Sequence, residues 1–349
     1  MTLCLVLVSG CRSIGPRTVA RDRSEYSDSV GESWKRQTLL NIVKLRYLDP
    51  PIFVDVGQIV AGYSLETSFS AGGSLPENAA LGGNTATLGG AARFTDRPTI
   101  TYTPLTGNKF VKALMTPLPP DAVFFTVQSG YAADAVFFAA VAAMNGLKNQ
   151  ETTLAGVSPP DQDFIRALEL LRKIQLSGAV GMRIQQDAQK QQTTLITFRS
   201  ERISDQTLAD IRELRQLLHL DPNASEFRLV FAPTGSNDKE FGILTRSLLH
   251  IMNSMAAQVE VPAPHISEGR ATPGFVSGAA AEQERLVQIH SSKEKPANAC
   301  VAVPYRGYWF WIDDRDLKTK RAFAFMMMLF TLSESGEKEP LPLITIPAQ

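Results

Sequence analysis

The spacing of apolar and polar positions divides the chain into helical and strand-like stretches. Over 29–46, Trp34, Leu39, Ile42 and Val43 fall on overlapping turns, predicting a helix that Asp49-Pro50-Pro51 ends. Ile59, Ala61, Tyr63, Leu65 and Phe69 then alternate with polar or small residues. After a Gly-, Ala- and Ser-rich connection over 70–83, the alternation resumes at Ala86, Leu88, Gly90, Ala92 and Phe94. A period of two predicts strands. A short strand around Ile100 and Tyr102, a helix over 108–115 and a buried helix over 132–144 follow.

A polar, Gly- and Pro-containing stretch over 146–160 is the expected boundary. Beyond it, Phe164, Ala167, Leu168, Leu171 and Ile174 keep helical spacing, and 180–185 with 194–198 read as a hairpin. Leu208, Ile211, Leu214 and Leu218 predict another helix, Phe227, Leu229 and Phe231 a strand, and Leu244 through Val259 a further amphipathic helix. A Pro-, Gly- and Ala-rich loop is expected over 262–284. Strands over 286–290, 299–303 and 308–312, a helix over 314–333 and a strand over 343–346 complete the series. The expected fold is α+β, with helices and mainly antiparallel, hairpin-connected strands in two packed units, 29–150 and 158–349.

Composition narrows the class. The 349 residues carry 35 Lys+Arg against 35 Asp+Glu and are 44% hydrophobic, enough for a core and too balanced for a chain that grips nucleic acid through phosphates. The longest apolar runs, 135–144 and 322–330, fall short of the ~20 residues of a spanning helix.

At the start of the chain, an apolar run over 3–8 leads into Ser9-Gly10-Cys11. Val8-Ser9-Gly10-Cys11 resembles the lipobox of bacterial lipoproteins. That resemblance implies a signal peptide over 1–10, a diacylglyceryl thioether on Cys11 and attachment to the membrane through that lipid. No basic residue precedes Arg12, so the signal peptide reads as N-terminally truncated. Arg12, in place of the Asp that retains lipoproteins at the inner membrane, directs the expectation to the outer membrane, facing the periplasm. Residues 11–28 then read as a flexible tether. The alternative is an N-terminal strand with a buried thiol. Cleavage removes Cys4 and lipidation consumes Cys11, leaving Cys300, read as a small buried hydrophobe.

Catalytic signatures are absent: there is no Walker A loop, GxGxxG, HExxH, GxSxG or CxxC. His219, His250, His265 and His290 stand outside chelating spacing; His250 reads as a satisfied structural residue and His265 as a solvated loop residue. Asp313, Asp314 and Asp316 precede a helix, where capping is favoured over cation binding. Neither a cofactor nor a metal is expected. Tyr308-Trp309-Phe310-Trp311-Ile312 reads as a central strand covered on both faces; otherwise Trp309 and Trp311, with Arg306, form a contact surface for a glycan or a protein partner.

The positions 59–69 and 85–95 admit two readings. The simpler is one antiparallel sheet covered by the helices around Trp34 and Ala135. The sharper is a hairpin contributed by each subunit to an oligomeric outer-membrane pore, since each segment supplies eleven alternating positions.

Three stretches carry a further resemblance: 39–47 running into Asp49-Pro50-Pro51; Thr101-Tyr102-Thr103-Pro104-Leu105-Thr106-Gly107 with Pro117-Leu118-Pro119-Pro120; and 305–321. Together they resemble a group of bacterial envelope lipoproteins without an assigned activity. This implies location and supplies no site residues. The expected function is therefore binding or assembly in the cell envelope without catalysis; the alternatives are the pore subunit and a cell-envelope hydrolase with an unrecognised site.

Overall fold

The computed structural model describes residues 15–60, 62–74, 85–153, 156–186, 192–199, 201–272 and 285–333. Cys11, the signal peptide over 1–10 and the strand expected over 343–346 lie outside the described residues. The fold is α+β, and the chain divides into two compact units.

The first unit takes residues 1–34 and Phe53–Leu105. Its helix, α1 (Gly15–Arg46), begins well before the predicted start and continues into the second unit. The expected tether over 11–28 is therefore helical from Gly15. Pro16 stands at the second helical position, where its missing N–H costs nothing. Arg21 lies beside Asp22 and Glu25.

The rest of the unit is one antiparallel ribbon built from β1 (Phe53–Val60), β2 (Tyr63–Ser74), β3 (Thr85–Asp96) and β4 (Thr99–Leu105). β1 pairs with β4, and β2 with β3. The two pairs share one register: Val60 faces Thr99, Tyr63 faces Asp96, and the Arg97 N–H donates to the Gly62 carbonyl at 2.9 Å between them. Within the ribbon the described pairing is interrupted by a bulge between Val56 and Gln58. The expected strand over 59–69 is thus split between β1 and β2, whereas the return strand matches β3.

The second unit takes Lys35–Ile52 and residues 106–349. Its six-stranded sheet runs β6-β5-β12-β11-β10-β9, formed by β5 (Val141–Met144), β6 (Leu147–Lys148), β9 (Val180–Gln186), β10 (Gln192–Phe198), β11 (Glu226–Phe231) and β12 (Glu240–Thr245). Only β11 and β12 are parallel. A short pair, β7 (Glu151–Thr153) and β8 (Gly156–Ser158), follows β6. Around the sheet are α2 (Asn108–Met115), α3 (Pro120–Gln128), α4 (Ala133–Ala140), α5 (Gln162–Leu176), α6 (Asp205–Leu217) and α7 (Leu248–Ala256). Phe137, Phe164, Phe198, Phe227 and Phe241 are fully buried, and Phe124 meets Phe137 and Phe241 edge-on at 5.2 and 5.7 Å. A second sheet, β13-β15-β14, is formed by β13 (His290–Ser292), β14 (Ala299–Tyr305) and β15 (Tyr308–Asp313), with α8 (Ala263–Ser267) before it and α9 (Leu317–Ser333) after it.

Two expectations for single elements fail here for physical reasons. β5, just before the stretch expected as a boundary over 146–160, pairs with β12 a hundred residues later. Asn145 and Gly146, with φ of 43° and 92°, form the two-residue turn between β5 and β6. The helix expected over 132–144 stops at Ala140, where Val141 to Met144 enter the sheet. Leu244, expected within the helix around Leu248, belongs instead to β12. The residues of β12 are buried almost throughout, so the strand lacks the alternation that marks a half-exposed one. Ser247, whose hydroxyl accepts the His250 N–H at 3.2 Å, is the true start of α7.

Candidate functional site

β15 is the middle strand of its sheet, so its two faces are determined by the pleat. Phe310 and Ile312 are fully buried on one face; Trp309 and Trp311 are half-buried on the other. The Trp face is covered only in part. His290 packs on Trp311 with ring centroids 4.7 Å apart, and Lys295 Nζ stands 5.5 Å from the Trp309 ring. The Trp311 Nε1 is buried without a hydrogen-bond partner. Cys300, on β14, is half-buried and free.

Arg306 does not join the Trp pair. It occupies the turn between β14 and β15 with Gly307, at φ of 47° and 81°. That turn suits strand twist but places a bulky residue in the left-handed region. Contacts with the segment following α1 offset the strain. Arg306 Nη2 donates to Asp49 Oδ2 at 2.9 Å, and its guanidinium lies 5.0 and 5.5 Å from the Tyr47 and Tyr305 rings. The Tyr305 hydroxyl donates to the same Asp49 carboxylate. That hydrogen bond, with the Arg306 charge, holds the Asp49 carboxyl below its ordinary range against the opposing effect of burial.

Behind this pair, Tyr47 Oη and His265 Nδ1 are 2.7 Å apart in a buried hydrogen bond. Burial pushes the Tyr47 phenol up to about 12 and holds the His265 imidazole below its usual value, so both are neutral at pH 7. His265 is therefore no solvated loop residue: it lies on α8, 3% exposed. Tyr47, Asp49, His265 and Tyr305 were missed as a group by sequence reasoning. Two of the three resembling stretches, 39–51 and 305–321, meet here, which spacing along the chain could not reveal.

His250 also departs from expectation, since its Nε2 is buried and lacks a hydrogen-bond partner. The acidic group before α9 caps as expected: Asp316 accepts the Thr319 N–H at 3.0 Å, and Asp314 pairs with Lys320 at 2.6 Å. Among the described residues no group of three or more His, Cys, Asp or Glu is placed to hold a metal ion, and no helix is long and apolar enough to cross a membrane. A largely apolar cavity of about 530 Å³ lies between α4, α5 and α9, lined by Ala135, Phe138, Leu168, Ala322 and Phe325 together with charged residues that include Lys318 and Arg321.

Most described residues of the ribbon from Tyr63 to Thr103 are exposed. The expectation of a sheet covered by helices fails: Leu88 is 82% and Phe94 53% exposed, and every residue of β4 except Leu105 is exposed. Register assigns its two faces. Tyr63, Leu65, Thr67, Phe69 and Ala71 share one with Ala86, Leu88, Gly90, Ala92 and Phe94; Ser64, Glu66, Ser68, Ser70 and Gly72 share the other with Thr87, Gly89, Ala91, Arg93 and Thr95. Tyr63 and Phe94 stack at 6.0 Å with an interplanar angle of 21°. Each pair is a two-stranded sheet, so among the described residues both long edges carry backbone groups with no neighbouring strand. Compared with known proteins, the chain matches no family model, no curated protein and no solved structure.

Proposed function

We infer that this chain is a lipid-anchored component of the bacterial cell envelope that acts by binding and assembly. In this reading Cys11 carries the acyl chains that hold it at the outer membrane, facing the periplasm. The observation that carries the assembly role is the uncovered ribbon of β1 to β4, with two open edges and an exposed apolar face. An isolated two-stranded ribbon is marginal in water, and an uncovered edge is a template for another strand. The half-covered Trp309 and Trp311 offer a second contact for an envelope protein or a glycan, with Arg306 occupied internally.

The test has two parts. Bacterial cells expressing the chain are grown with an alkyne-bearing fatty acid, and the N-terminal peptide is analysed by mass spectrometry. A mature terminus at Cys11 carrying acyl groups is expected; an uncleaved, unmodified Cys11 overturns the anchor. A photoreactive residue at Tyr102 then maps what the ribbon touches in intact envelopes. Adducts with a second copy or with one envelope protein are expected, and their absence overturns the assembly role.

A further inference from the structure

The β2–β3 hairpin gives the assembly role a specific form, one that rests on the reading of the ribbon as an assembly surface. We propose that the β2–β3 hairpins of several copies of this chain close into a β-barrel that spans a lipid bilayer.

β2 and β3 have 12 residues each, and a tilted barrel strand needs about 9–11 to cross the hydrocarbon layer. Their two faces match the two media of a barrel wall. Among the side chains described, Tyr63, Ala71, Leu88, Ala92 and Phe94 make one face apolar, which suits acyl chains. The opposite face is Ser, Thr, Gly and Ala apart from Glu66 and Arg93, which stand directly across from each other. A hydrated lumen accommodates that pair, whereas a lipid face penalises it. Asp96, the one charge on the apolar face, lies opposite Tyr63 at the end nearest β1 and β4. The stacked Tyr63 and Phe94 mark the same end, where a barrel places its interfacial aromatics.

The strand edges identify the partner. In hydrocarbon every backbone N–H and C=O must be paired within protein, so a lone two-stranded ribbon cannot cross. Identical hairpins set side by side pair each other's edges, and a closed ring leaves none open. The smallest such barrels have about eight strands, which requires at least four copies. The occupant of the edges is therefore a second copy of this chain, and that of the apolar face is lipid.

The experiment uses the full chain, purified in detergent and reconstituted into phosphatidylethanolamine–phosphatidylglycerol vesicles. In a Cys300→Ser background, cysteines introduced one at a time at Leu88, Ala92 and Phe94, and at Thr87, Ala91 and Arg93, are labelled with an environment-sensitive dye, and the emission of the labelled background, which keeps Cys4 and Cys11, is subtracted. Blue-shifted emission, quenched by lipid-borne nitroxide, is expected in the first row and not in the second. Equal emission in the two rows overturns the barrel. Conductance across planar bilayers gives a second measurement without dye: Leu88→Asp should abolish it and Thr87→Asp should retain at least half, while equal loss in both variants counts against the proposal. The background chain separates the two readings. A free Cys11 that takes up dye removes the lipid anchor, yet alternating rows still uphold the barrel; an acylated Cys11 with equal rows leaves the anchor standing and removes the barrel.

Discussion

At the residue scale, stability of the second unit depends on a few buried polar side chains that satisfy backbone groups. Arg246 is 4% exposed, and among the described residues no carboxylate lies within salt-bridge distance of it, Glu151 acting on it only at longer range. Its guanidinium donates to the carbonyls of Phe138 at 3.1 Å and Ala139 at 3.3 Å, near the end of α4, and to that of Gln150. Burial lowers its pKa to about 10, so it stays charged at neutral pH and meets the negative end of the helix dipole. Arg246→Ala leaves these carbonyls unpaired and should cost about 3–5 kcal/mol, read from the urea midpoint of the full chain. Arg246→Lys should recover only part of the loss, because an ammonium lacks the planar fork that spans them. Asn145 plays a related part: its amide donates to Leu218 and Glu240 carbonyls at 2.8 and 3.2 Å, and its oxygen accepts the Gly242 N–H. Neither role is legible in a sequence, since each depends on which distant backbone groups the fold brings within reach.

At the element scale, the stop after α1 is more than a helix terminator. Asn41 exchanges two hydrogen bonds with Ile52, at 2.7 and 3.0 Å, folding the chain after Asp49-Pro50-Pro51 back on the helix. Tyr47 and Asp49 then clamp the β14–β15 turn and α8. The clamp imposes a pH dependence whose sign follows from its groups. His265 has a folded pKa below 6.5, as does His250, both chiefly through burial. The unfolded chain therefore takes up protons first as pH falls below 6.5, and stability declines from there downward. Asp49 has a folded pKa below 3.8, so its contribution is present above that value and is lost as pH falls through the folded one. Tyr47 acts at the other limit, where stability falls as pH rises from 10 to about 12. Melting temperatures followed by circular dichroism should drop between pH 7 and pH 5, and His265→Gln should shallow that slope without removing it, because His250 remains. A melting temperature that rises on acidification contradicts the assignment. Single elements were the most legible level: α5, α6 and the β9–β10 hairpin follow their periodicity closely. β5 and β12 were not, since strands with neighbours on both edges carry uniform apolar runs that also fit a buried helix.

At the scale of the whole molecule, the two units differ in what holds them. The second has a continuous aromatic and aliphatic core, whereas the ribbon of the first relies on its ladder and cross-strand pairs. Replacing residues 63–96 by Asn-Gly joins the ends that Gly62 and Arg97 already bring together. The main thermal transition of that variant should stay within about 4 °C of the parent, a shift on the order of 1 kcal/mol or less. Loss of a cooperative transition would show that the ribbon is integral to the core. The assembly role, in contrast, should disappear with the hairpin, which separates stability from function in one variant.

By itself the sequence determined the local periods: the alternation on β2 and β3, the helical stripes, the Asp cap before α9, and the α+β class they add up to. Those properties depend on neighbours two to four residues apart, so they are written along the chain. Tertiary structure alone decided that β5 pairs with β12 across the expected boundary, that 39–51 meets 305–321 through Tyr47 and Asp49, and that the ribbon is exposed. Each of these depends on which distant surfaces meet or fail to meet, and a periodicity shared by many surfaces does not specify its partner.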